Sequence, residues 1–206
     1  KTVGPYAKNG PSSIRNSASS LNANIDRYNF DIDGPLFPDG TKKPVDCGDI
    51  PWDDNDFKKN RTNIKNFISQ VIKNGVVPVV VGGDDSIPIP MIDAMESIGD
   101  DFTILQIDAH IDWRETHMGE RYGLSSTMRR ASEMKHIKKI IQVGARGIGS
   151  AHPDDYKDAE NWGVKFFNAE KVHLFGTNEI LNIIADKSNV IICIDIDSMD
   201  PSITPN

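Results

Sequence analysis

Two cysteines in 206 residues are too few for a disulfide-built framework. Cys193 sits in a strongly apolar run and Cys47 in a short strand candidate, so both are expected as free thiols. Long hydrophobic runs are missing too. No stretch reaches the length of a membrane-spanning helix, and no secretory leader pattern is visible. The expectation is a cytoplasmic protein with no membrane partner. Basic charge is scarce: 23 Lys and Arg against 30 Asp and Glu give a formal net charge of −7. No Lys/Arg cluster is long enough for a nucleic-acid surface, so no nucleic-acid partner is expected. A dinucleotide fingerprint is also missing. The Gly-rich run Gly144-Ala145-Arg146-Gly147-Ile148-Gly149-Ser150 lacks its spacing and reads as a turn. Without internal repeats, low-complexity tracts or a linker, nothing splits the chain into two domains.

What is present alternates. A helix opens at Gly10 with Pro11 in its first helical position and runs to about residue 21. After a loop over 34–42, residues 43–50 read as a short strand. Asp56 caps an amphipathic helix carrying Phe57, Ile64, Phe67, Ile68, Val71 and Ile72, and Gly75 stops it. Residues 76–81 (VVPVVV) read as a buried strand, with Pro78 awkward in a central position. Helix 87–98, strand 102–107, helix 125–134, strand 137–143, helix 153–162, strand 164–167, helix 177–186 and strand 190–194 follow. Strands alternating with helices predict a parallel sheet covered on both faces.

Three of the apolar strands run straight into acidic clusters: Asp84 and Asp85; Asp108, His110 and Asp112; Asp195 and Asp197. Each has a plain local explanation. Asp84, Asp85 or Ser86 can cap the helix that follows. Asp200-Pro201 reads as a turn that can include Asp195 and Asp197. In extended backbone alternate side chains share a face, so Asp108, His110 and Asp112 converge if the extension persists past the strand end. Parallel strands place all three clusters at one carboxyl edge, where open α/β sheets bind ligands. Unpaired carboxylates beside apolar strands are costly, and one shared cation site accounts for all three clusters together. Asp85, Asp108, His110, Asp112, Asp195 and Asp197 comprise five carboxylates and one imidazole. A single zinc takes three or four ligands with more nitrogen or sulfur. The set suits two harder ions instead, Mn²⁺ first, with other divalent ions as substitutes. Two such ions at about 3.5–4 Å share bridging carboxylates and a water that becomes nucleophilic near neutral pH.

On these residues the chain resembles the ureohydrolases: arginase, agmatinase and related guanidino-acid hydrolases. The matching motifs are Gly82-Gly83-Asp84-Asp85-Ser86, Asp108-Ala109-His110-Ile111-Asp112 and Asp195-Ile196-Asp197-Ser198-Met199-Asp200-Pro201. Shorter matches are Gly10-Pro11-Ser12-Ser13-Ile14-Arg15, Val45-Asp46-Cys47-Gly48-Asp49 and Val143-Gly144-Ala145-Arg146-Gly147, all in the family's order. The resemblance implies a single arginase-like domain over residues 1–206, a three-layer α/β/α sandwich with a mainly parallel sheet. It implies a two-manganese centre that hydrolyses a small cationic guanidino substrate to urea and an amine. Carried over by position, Asp108 and Asp195 would bridge both metals. Asp85 and Asp112 would complete one metal, and His110 and Asp197 the other. Asp112 would also hold the bridging hydroxide, which makes it the catalytic residue. Trimers or hexamers are common in the family, so a homo-oligomer is expected.

The chain departs from the family's pattern at three points. Histidine usually stands where Asp85 does. Five carboxylates against two divalent ions leave the shell at about −1, where four would leave it neutral, which favours a cationic substrate. The family's proton-shuttle histidine precedes a segment like Thr127-Met128-Arg129-Arg130-Ala131, but Tyr122-Gly123-Leu124-Ser125-Ser126 contains none. His117 is the nearby stand-in, with a surface histidine as its plain reading. The family also continues with a further strand–helix portion beyond the last motif, so the sequence is expected to be a fragment cut at both ends.

Other residues have structural readings. Trp52 and Trp162 are expected to pack, and His136, His152 and His173 to lie at the surface or cap helices. Arg146 is expected to brace the sheet edge by hydrogen bonds to backbone or carboxylate. Trp113 and Arg114 are candidate pocket residues, and 1–10 and 113–126 the candidate specificity loops. Two rival functions stand beside the hydrolase: a ureohydrolase-like binding or assembly subunit with altered catalysis, and a metal-dependent amide hydrolase of deacetylase-like architecture.

Overall fold

The computed structural model describes residues 5–22, 24–149 and 151–204. Residues 1–4 of the first candidate specificity loop and Ser150 of the Gly-rich run lie outside them. After a 3₁₀ turn at Pro5–Asn9, helix α1 (Gly10–Asn22) begins, as its Gly-Pro start predicts. A two-residue hairpin, β1 (Tyr28–Asn29) and β2 (Gly34–Pro35), follows. Helix α2 (Phe57–Lys73) is capped by Asp56, whose side chain accepts from the Lys59 N–H at 2.9 Å. It turns Ile64, Ile68 and Ile72 inward at helical spacing. Helix α3 (Pro88–Ala94) starts on Pro88, whose missing N–H would be unpaired there anyway.

Strand β3 (Phe102–Ile107) is the centre of the main sheet. It pairs in parallel with β4 (Ile137–Val143) on one side and β6 (Asn189–Ile194) on the other. Strand β5 (Lys165–Phe167) pairs with β4, giving the order β5-β4-β3-β6. Alternate residues divide between two cores. Ile104, Ile140, Ile191 and Cys193 face α2, α3, α4 (Thr127–Ser132) and α5 (Pro153–Trp162). Leu105, Ile141, Val143 and Phe167 face α6 (Ala169–Phe175) and α7 (Asn178–Ile183). The result is the expected α/β/α arrangement on a parallel sheet. Ile92, Ile104, Met128 and Ile140 have no exposed surface, and each contributes about 1.5–3 kcal/mol by leaving water.

Four expectations need correction. Residues 76–81 join no ladder: Val77 and Val79 are 84 % and 85 % exposed, while Val80 packs on the core. Pro78 has no N–H to give, and the segment pairs with neither outer edge of the sheet, β5 or β6. Residues 43–50 also form no strand. Their carboxylates are drawn to α1 instead: Asp46 and Asp49 accept from the Arg15 guanidinium at 2.6 and 2.7 Å. Trp52 is exposed rather than packed, with Lys8 over its ring. His136 is not a surface residue. It is buried, its Nε2 2.9 Å from the Ile92 carbonyl oxygen and its ring edge-on to Phe102.

The other packing expectations hold. Trp162 packs edge-on against Trp113 and donates from Nε1 to the Ser132 carbonyl at 3.1 Å. His152 stands at the N-terminus of α5, and His173 is exposed in the last turn of α6. Both cysteines are free, Cys47 exposed and Cys193 buried. Among the described residues no helix is long and apolar enough to cross a membrane.

Candidate metal centre

The site is built at the carboxyl edge of β3 and β6. The ladder continues one residue beyond each strand. The Asp108 N–H donates to the Val143 carbonyl at 2.9 Å, and the Asp195 N–H to the Ile107 carbonyl at 3.0 Å. Asp108 and Asp195 are therefore held by sheet hydrogen bonds although they lie outside the strands. The chain then bends, and Asp112 takes a φ of 44°, in the left-handed region rare for aspartate. Extension past the strand end, the sequence-based reason for convergence, is thus replaced by a turn. What holds the turn is α4: the Met128 and Arg129 N–H groups donate to the Asp112 carbonyl at 3.1 and 3.2 Å.

Asp85 arrives from a different direction. The chain before it is not a strand, but Asp84 ties the local turn by accepting from the Ser86 N–H at 3.1 Å and its hydroxyl at 2.5 Å. Asp84 thus has the innocent structural role, and Asp85 is left to face the site. The Thr127 hydroxyl donates to the Asp85 carbonyl oxygen, so the start of α4 clamps both Asp85 and Asp112. On the other flank Asp197 accepts from the Ala109 N–H at 3.2 Å, and Asp195 accepts from the Asp197 N–H at 3.1 Å. Arg146 donates to the carbonyls of Asp197, Met199 and Ser198 at 2.6, 2.8 and 3.0 Å, the bracing expected of it.

The structure brings all six acidic-motif residues together, as two overlapping groups and a neighbour. Ligand atoms of Asp85, Asp108 and Asp195 lie within 4.8 Å of one another, as do those of Asp108, His110 and Asp197. Asp108 belongs to both. His110 Nδ1 stands 3.0 Å from Asp197 Oδ2 and 3.5 Å from Asp108 Oδ1. Asp112 belongs to neither group; its Oδ2 shares the Gln106 amide with Asp108 Oδ2, each accepting at 2.8 Å.

This crowding has electrostatic consequences. Burial, then the Asp108 charge, pushes the Asp85 carboxyl well above the usual carboxylate range. Asp112 is pushed up likewise, by burial and then by the charges of Asp85 and Asp108. Burial raises Asp195 as well. His110 is raised chiefly by its hydrogen bond to Asp108, against the effect of its own burial. Asp85 Oδ2 is buried with no hydrogen-bond partner among the described residues. An orphaned carboxylate oxygen in a nest of carboxylates is the environment a hard divalent cation relieves. The donor set fits Mn²⁺ better than zinc, because one imidazole and five carboxylates contain no sulfur and little nitrogen.

Several expected neighbours fall elsewhere. Trp113 does not line a pocket; it is buried in the core and donates to Asp158 Oδ2 at 2.7 Å. Arg114 Nη1 stands 2.7 Å from His117 Nδ1, which engages the candidate shuttle ring with a cation. Two residues of the site were not singled out in the sequence: Gln106 and Gln142. Gln106 Nε2 donates to Asp108 Oδ2 and Asp112 Oδ2, both at 2.8 Å, and Gln142 donates to Gln106. Their signal was available, since each is a lone amide among apolar residues near the end of its strand.

The arginase family model matches residues 2–206. An uncharacterized 32.2 kDa protein of Methanothermus fervidus is 30 % identical over 205 residues, which cover 99 % of this chain and 67 % of that protein. The formimidoylglutamase of Bacillus subtilis superposes with a TM-score of 0.81 at 24 % identity, covering 94 % of this chain and 60 % of that one. The agmatine ureohydrolase of Thermoplasma volcanium superposes with a TM-score of 0.75 at 25 % identity, covering 97 % and 64 %. The chain thus spans about two thirds of these relatives' length or less. With its acidic motifs gathered at one sheet edge and the family model matched from end to end, the chain belongs to the arginase family.

Proposed function

We propose that the protein is a metal-dependent, agmatinase-like amidinohydrolase that cleaves a C–N bond of a small guanidino compound and releases urea. One observation carries the reading: Asp108 is shared by two possible ligand groups, Asp85/Asp108/Asp195 and Asp108/His110/Asp197, so it could contribute to holding more than one cation. Those residues would hold two Mn²⁺, with Asp112 alongside, and the bound ions would supply Lewis-acid activation of water. Asp112, buried beside Asp108 and tied to it through Gln106, would hold the attacking water by a hydrogen bond. Excess negative charge around the site draws a positively charged group, which supports a guanidinium over an anionic substrate. A homo-oligomer, trimer or hexamer, is part of the reading by family resemblance. The unbridged cysteines support a cytoplasmic setting.

Metal analysis combined with a urea-release assay on the full chain, using agmatine, arginine and shorter guanidino acids, tests the proposal. The expected result is two Mn²⁺ per chain and urea from a cationic member of the set. Stoichiometric metal with no urea from any of them favours the second reading, a binding or assembly subunit with altered catalysis. The observation behind that reading is specific: buried Ser125 and Ser126 precede Thr127 where the family has its shuttle histidine.

A further inference from the structure

Two glutamines stand side by side in the middle of the sheet. Gln106 on β3 and Gln142 on β4 are register partners, and each is 1 % exposed. Such positions in parallel sheets favour aliphatic residues, because a buried amide is costly unless fully hydrogen-bonded. These two amides are chained. Gln142 Nε2 donates one hydrogen to the Ile111 carbonyl at 2.7 Å and the other to Gln106 Oε1. Gln106 Nε2 then donates its two hydrogens to Asp108 Oδ2 and Asp112 Oδ2.

The direction of the chain is forced. Rotating the Gln106 amide by half a turn would aim its oxygen at two carboxylates and its NH₂ at the NH₂ of Gln142. Gln142 Oε1 is left buried with no hydrogen-bond partner among the described residues. Such an orphan is destabilising, and it is retained in an arrangement that sends every amide hydrogen of Gln106 to the site. The link is also selective. It joins Asp108, the ligand common to both groups, to Asp112, which belongs to neither.

We infer that Gln106, held in one orientation by Gln142, is a positioning residue of the metal centre: a neutral donor that ties Asp108 to Asp112 and sets the carboxylate lone pairs presented to cations. A lysine or arginine there would compete with the metals as a charge, and an aliphatic residue would leave the two carboxylates free to rotate apart. The inference rests on the metal-site reading above.

The test is Mn²⁺ titration by calorimetry, with electron paramagnetic resonance of the bound ion, on the full chain as wild type, Gln106→Leu, Gln142→Leu and the double variant. Melting temperature without metal is measured alongside. Gln106→Leu is expected to weaken Mn²⁺ binding by roughly 10- to 100-fold, the usual effect of losing a partner of metal ligands. Gln142→Leu is expected to weaken binding less, with its metal-free melting temperature held or raised because the orphan acceptor is gone. The double variant is expected to bind no more weakly than Gln106→Leu, since both residues act through one amide. Wild-type affinity in Gln106→Leu, or two losses that simply add, overturns the inference. So does a lowered melting temperature with affinity unchanged, which is all a structural role would give. Should Gln106→Leu fail to fold, Gln142→Leu decides, and full affinity in that variant overturns the inference. Wild-type protein that takes up no Mn²⁺ overturns the metal-site reading itself, and the inference with it.

Discussion

A Cβ on Gly144 would stand 3.0 Å from the carbonyl oxygen of Asp108. Gly144 directly follows β4, has a φ of 104°, and donates its N–H to the Phe167 carbonyl at 2.8 Å. Both the close approach and the backbone angle require glycine. Gly144→Ala is expected to cost about 1–3 kcal/mol of stability through the positive φ alone. It should also shift Asp108, so a titration of the same variant should show weakened Mn²⁺ binding. Chemical denaturation read beside that titration checks both.

The stability of the metal-free protein should fall as pH rises. Asp85, Asp112 and Asp195 have folded-state values raised above the ordinary 3.8, so the folded chain binds more protons than the unfolded chain above that pH. Their contribution is complete below the ordinary value and is lost as pH climbs through the raised ones. His110 works in the same direction, its contribution fading as pH passes its own raised value. Calorimetric melting from pH 5 to pH 8 is expected to show a decline without metal that added Mn²⁺ reverses, with proton release on binding.

Asp85→Asn separates folding from function. Removing a carboxyl that burial and Asp108 both disfavour should raise the melting temperature of the metal-free protein and flatten its pH slope. The same change should weaken Mn²⁺ binding at least tenfold, as loss of a ligand does. A variant that gains nothing in melting temperature at pH 8 would show that the Asp85 carboxyl is not under strain.

The two halves of the site should separate on mutation. Asp197→Asn touches only the group that includes His110. Metal content is expected to fall from two ions per chain to one, measured by elemental analysis after dialysis, with the Asp85 side still occupied. Asp108→Asn, which touches both groups, is expected to lose both ions.

Much of the fold and of the site is legible in the chain's letters, because the physics behind those parts is local. The apolar runs at 102–107, 137–143 and 190–194 have little alternative to burial. Asp56 and the Gly10-Pro11 start declare helix ends through single hydrogen bonds and a fixed φ. The Asp-x-His-x-Asp and Asp-x-Asp motifs mark the sheet edge at which acidic side chains gather, since both directly follow apolar strands. By contrast, VVPVVV at 76–81 carries the composition of a strand, and Val77 and Val79 nevertheless stand in the open. A strand requires a neighbour brought alongside it by the tertiary fold, and no local pattern records whether one comes within reach.

The sequence by itself determined which residues are acidic and the order of the strands at 102–107, 137–143 and 190–194 that precede or flank them, and hence the family. Only the tertiary structure decided that Asp112 reaches the site through a left-handed turn held by α4, and that Asp84 ties a loop while Asp85 faces inward. It also decided that two glutamines from adjacent strands hold the carboxylates in place. The decisive contacts, Met128 to Asp112, Gln142 to Gln106 and Thr127 to Asp85, join residues far apart in the chain, 36 and 42 positions for the last two, and distances set by packing are not encoded in local spacing.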